Sequence, residues 1–153
     1  MTLKLEREAI MPRLSGIKKN LAKLRGLGTL SLEKFSDPQG DSFDLAQHHL
    51  RLALEGVFHI GSHILSRLPG GRGVEYKEIA TKLGELGVVD REFAKNKLVP
   101  MAGMRTLLVH HYADVDPARV YAVIKTHLDD IEMFLNAVAE LIENPGRLGL
   151  EVE

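Results

Sequence analysis

Apolar residues recur at alternating steps of 4 and 3 along most of this 153-residue chain, the spacing of one helix face. Ile10, Leu14, Ile17, Leu21 and Leu24 form the first seam, which closes at Gly26 and Gly28. Pro12 marks either the first turn of this helix or a kink near its start. The connector from Leu30 to Gly40 is expected to hold a short helical turn around Leu32 to Phe35. A second helix opens at Asp41, with Asp44 in its first turn, and runs through Leu50, Leu54, Val57, Ile64 and Leu68 until Pro69, Gly70 and Gly71 stop it. Tyr76 to Leu86 makes a shorter helix that ends at Gly87. The next starts at Asp90 and is expected to bend at Pro100. Asp116 caps the last helix, with Pro117 at its first position and a seam of Val120, Ile124, Ile131, Leu135, Val138 and Ile142. Asn144, Pro145 and Gly146 end it.

No segment alternates with period two, so no strand is predicted, and there is no internal repeat. The expected fold class is all-α: an antiparallel four-helix up-and-down bundle with a short additional helix, in one domain over residues 1–153. Several strongly apolar helices in so short a chain leave a spare apolar face, which points to a homodimer.

Composition narrows the chemistry. At 44% hydrophobic and 27% charged residues, the chain reads as globular rather than disordered. It has no cysteine, which excludes disulfides, thiol catalysis and Cys-ligated metal sites. No apolar stretch approaches a membrane span, and Glu6, Arg7 and Glu8 do not fit a signal peptide, so a cytoplasmic protein is expected. Net charge is −1, yet residues 1–40 carry eight Lys/Arg against four Asp/Glu, while residues 117–153 carry three against seven. The basic first helix either meets RNA phosphates or pairs with the acidic last helix, the second being the usual arrangement in bundles.

The most informative residues lie at the end of the fourth predicted helix. Ala94, Leu98, Met101, Arg105, Leu108 and Tyr112 share one face, and Arg105 takes a slot where an apolar residue belongs. Such an arginine is either a snorkelling side chain with a carboxylate partner or a functional cation. His110 comes five residues later. Arginine recognises phosphate through a planar fork, and histidine moves protons near neutral pH. Together they are minimum equipment for cutting RNA without a metal. On a regular helix His110 lies roughly 140° round from Arg105. Either the helix loosens before Ala113, or His110 faces a different groove at a dimer interface.

Rival motifs are weaker. His59 and His63 are spaced to share a metal, but no further ligands accompany them, and packed or capping histidines are the expected reading. His48 and His49 read as a solvated pair. Gly70 to Gly73 lacks the setting and the Lys-Ser/Thr of a phosphate loop. No serine sits in a nucleophile elbow. No cofactor and no metal are expected.

The run Arg105, His110, Tyr112 resembles the Arg-x4-His-x-Tyr signature of the HEPN superfamily, in particular the HepT toxins of HepT–MntA toxin–antitoxin systems. The similarity extends over nearly the whole chain. Leu54 to Ile64 resembles the family's second helix, and Glu75 to Leu83 its short third helix. Met101 to Tyr112 resembles the motif helix, and Asp116 to Tyr121 the start of the last one. The resemblance implies an endoribonuclease toxin in which Arg105 and His110 are the catalytic pair. It implies that Tyr112 is adenylylated by an MntA-like nucleotidyltransferase antitoxin. Thr106, His111 and His63 are candidate supporting residues. Two positions depart from the pattern: Thr106 stands where many relatives carry an amide, and His59 where an acid is frequent. The competing expectation is a non-catalytic helical subunit that binds a nucleotidyltransferase.

Overall fold

The first seam folds as its spacing predicts. In the computed structural model, which describes residues 3–153, helix α1 (Arg7–Leu27) buries Ile10, Leu14, Ile17, Leu21 and Leu24. Pro12 lies inside this helix rather than in its first turn. The short α2 (Leu32–Phe35) is capped by Ser31 and buries Phe35 against Phe43 and Tyr121. Helix α3 (Ser42–Leu65) is the most enclosed element, with ten buried residues. It runs antiparallel to α1: His63 meets Glu6, Gly56 meets Ile17, and His49 meets Asn20. The approach at Gly56 is close, since a Cβ there would stand 2.7 Å from Ile17 Cγ1.

Helix α4 (Tyr76–Glu85) is the short additional helix and packs Ile79 and Leu83 over Gly61 of α3. The next helical run begins as α5 (Arg91–Phe93), widens to a π-helical turn over Ala94–Leu98, and continues as α6 (Val99–His110). The irregularity therefore precedes Pro100 instead of centring on it. Pro100 has no N–H to donate, and the wide turn, in which Val99 N–H reaches Ala94 O, absorbs the mismatch.

The last predicted helix is two helices. α7 (Pro117–Thr126) and α8 (Leu128–Glu143) break at His127. The His127 ring turns to Asp130, 3.1 Å away, and the backbone resumes at Leu128, which keeps the buried seam in step. Asp116 caps α7 as expected, its carboxylate accepting from Ala118 N–H.

The prediction of no strands is corrected by one small pairing. β1 (Lys4–Leu5) and β2 (Glu151–Val152) lie parallel, joining the two ends of the chain. Two residues per strand are too few to show alternation in sequence. The charge asymmetry is resolved by packing: Arg25 of α1 pairs with Asp129 and Glu132 of α8 at 3.1 and 2.7 Å. The hydrophobic core forms one cluster, and none of its fully buried residues is polar. Among the described residues, no helix is long and apolar enough to cross a membrane.

Candidate active site

Helix α6 brings its chemistry to a groove of about 760 Å³ between itself and the segment Val74 to Lys77. Val99, Ala102, Gly103, Thr106 and His110 form one stripe of α6 along this groove, and Arg105 enters it from the side. Arg105 and His110 thus share one groove in spite of their separation round the helix. The helix also loosens where the sequence allowed it to. It stops at His110, His111 leaves helical geometry, and Tyr112 falls in a 3₁₀ turn, Tyr112–Asp114.

Arg105 is half-buried on a face where Ala94, Leu98, Met101 and Leu108 are buried and only Tyr112, beyond the end of α6, is exposed. Its burial is compensated from two elements. Glu55 of α3 stands 3.6 Å from Nε, and the ring of Tyr76 lies under the guanidinium with Cζ 4.5 Å from its centroid. Tyr76 stacks in turn on the buried Phe58. Burial raises the pKa of the Tyr76 phenol; the Arg105 cation opposes that shift and Glu55 reinforces it.

Sequence reasoning missed Glu55 and Tyr76. The signal available for Glu55 was that α3 holds only two acidic residues, Asp44 in its first turn and Glu55 in mid-helix among buried neighbours. Glu55 lies one turn before His59, the position at which the family pattern frequently has an acid. His59 instead approaches the Tyr76 hydroxyl, at 3.5 Å, the outer limit of a hydrogen bond.

The other candidates separate. Thr106 lines the groove, but its hydroxyl donates to Ala102 O of its own helix. His111 is exposed and does not line the groove. His63 lies elsewhere: its Nε2 accepts from Glu6 N–H at the start of α1, which is the capping role. Burial depresses the His63 pKa, and Arg67 and Arg13 add to this while Glu6 opposes it. Tyr112 is 70% exposed and outside the groove. His48 and His49 are not simply solvated, because His49 bonds Asn20 of α1 at 2.9 Å. Among the described residues, no three His, Asp or Glu side chains gather as a metal site.

Such a groove can hold a phosphodiester, with a cation at one side and an imidazole at the end. The chain is 29% identical over 132 residues to a protein named tRNA nuclease HepT from Aphanizomenon flos-aquae, covering 84% of this chain and 86% of that one. Its fold matches the tri-AMPylated HEPN toxin of Shewanella oneidensis, solved in complex with an MNT antitoxin, with a TM-score of 0.77 at 23% identity over 88% of this chain and 98% of that one. A toxin–antitoxin structure with AMP-PNP matches at a TM-score of 0.75 and 21% identity, over 87% and 98% of the two chains. The family described as "Ribonuclease HepT-like" matches residues 17–138, and the chain belongs to that family.

Proposed function

We propose that this protein is an endoribonuclease toxin, acting in the cytoplasm on RNA by attack of a ribose 2′-hydroxyl on the adjacent phosphate. The observation that carries the reading is the meeting of Arg105 and His110 in one open groove. Neutral His110 takes the 2′-hydroxyl proton, and the oxygen attacks phosphorus. Arg105 steadies the negative charge that builds on the phosphate oxygens. The 5′-oxygen leaves with a proton supplied by His110 of a second copy across a twofold axis, which makes the working unit a homodimer. This set of groups is complete without a metal ion. The name of the Aphanizomenon relative makes tRNA the first substrate to test.

Tyr112 is the proposed target of an MntA-like nucleotidyltransferase that silences the toxin by adenylylation. Its exposure leaves the phenol open to a partner's active site, and the AMPylated state of the Shewanella toxin supports the same reading. The added AMP would bring a phosphate's negative charge and bulk beside the Arg105 groove.

The test uses purified protein, tRNA and EDTA. Wild type is expected to cleave; His110→Ala and Arg105→Ala are each expected to lose about 10²–10⁴-fold with the fold intact. Tyr112→Phe should still cleave but resist silencing by the partner with ATP. Wild type that leaves RNA uncut while both alanine variants bind the partner normally would favour a non-catalytic binding subunit. Silencing of Tyr112→Phe as readily as wild type would replace adenylylation with simple masking.

A further inference from the structure

The guanidinium of Arg105 has one covered face and a buried Nε edge that no hydrogen bond ties down. Tyr76 covers the face, at 4.5 Å from Cζ to the ring centroid. Glu55 faces the Nε edge at 3.6 Å, too far for a hydrogen bond, and Nε is buried without a partner. Both Glu55 oxygens are instead engaged by Arg51, at 3.1 and 3.3 Å. A purely structural arginine would use its fork on the nearest carboxylate. Here Arg51 has that carboxylate, no described residue accepts a hydrogen bond from Arg105, and its fork is left to the groove.

The plane of Arg105 is therefore set by the ring beneath it. Tyr76 is itself fixed, stacked on the fully buried Phe58 with centroids 4.7 Å and planes 21° apart. The order Phe58, Tyr76, Arg105 runs from the core to the groove wall. We propose that Tyr76 is a positioning residue for catalysis, an aromatic platform that orients the Arg105 guanidinium so that its terminal nitrogens meet the scissile phosphate. The inference rests on the ribonuclease reading of the groove. The ring is what the role needs: the hydroxyl has only its marginal contact with His59.

Two readouts test it. In tRNA cleavage, Tyr76→Phe is expected to keep the wild-type kcat. Tyr76→Leu, which keeps apolar bulk and loses the π face, should lower kcat about tenfold with KM little changed. In an Arg105→Lys background the same leucine change should add little, because lysine has no plane to orient. Tyr76→Met replaces the leucine variant if that one melts early. The second readout is independent of activity: ring current should shift the Arg105 side-chain NMR signals upfield in wild type and Tyr76→Phe, and the shift should vanish in Tyr76→Leu. A fully active leucine variant, or a phenylalanine variant as impaired as leucine, overturns the platform, as do wild-type signals without the shift. Inactive wild-type protein whose Arg105 signals carry the shift overturns the ribonuclease reading and leaves the stack standing.

Discussion

At the scale of the residue, Arg105 advertised itself because it broke an apolar seam; periodicity alone marks such a position. What compensates it could not be read the same way. Glu55 and Tyr76 arrive from α3 and α4, and a one-dimensional pattern does not say which side chains from other helices will face a given slot. The geometry makes Arg105→Lys a severe change. Lysine would keep the charge but lose both the planar fork and the stack on Tyr76. Cleavage of tRNA by this variant should fall about 10²-fold, the loss expected when an oriented donor to the transition state is removed. Near-normal kcat in the lysine variant would mean that charge alone suffices at this position.

At the scale of the element, the apolar seams were legible because they are local, whereas Asp41 makes no side-chain cap and α3 stops at Leu65, short of Pro69. The Asp116 cap and the Leu32–Phe35 turn depend on residues adjacent in sequence. The π turn before Pro100, the break at His127 and the β1–β2 pairing were not, because each answers to packing between distant segments. Gly103 offers a test of what α6 is for. A Cβ added there would meet no atom within 4 Å, so nothing in the fold asks for glycine. Gly103→Ala should raise unfolding free energy by about 0.5–1 kcal/mol in denaturant melts, through helix propensity. Gly103→Leu, which fills the groove beside Arg105, should fold equally well and raise KM for RNA. An unchanged KM would remove the groove floor from substrate binding.

The start of α1 carries a pH dependence. His63 accepts from Glu6 N–H only when that ring nitrogen is unprotonated, and burial depresses its pKa below the ordinary histidine value. The unfolded chain therefore binds a proton more readily at this site. Stability should be full above pH about 6.5 and should fall as pH drops from there through the folded-state pKa, then level off. His49, depressed by burial in the same direction, adds to the slope. Denaturant melts across this range should show a shallower loss in His63→Gln, which keeps an acceptor but does not titrate. An unchanged slope would assign the whole effect elsewhere.

At the scale of the whole molecule, the all-α class came from periodicity, and the pairing of basic α1 with acidic α8 came from charge. These exposed pairs contribute little to stability, on the order of 0–1 kcal/mol each. The proposed twofold assembly bears directly on the chemistry, because a single groove holds one His110 and the reaction needs a base and an acid. Light scattering at micromolar concentration should give about twice the 17.0 kDa chain mass. A clean monomer that still cleaves would place the acid elsewhere.

The ends left on tRNA cleaved in EDTA report whether Arg105 and His110 cut RNA through its own 2′-hydroxyl. Fragments bearing a 2′,3′-cyclic phosphate and a 5′-hydroxyl are the expected products, absent with His110→Ala. Fragments with a 3′-hydroxyl and a 5′-phosphate, or cleavage that disappears with chelator and returns with zinc, would contradict it.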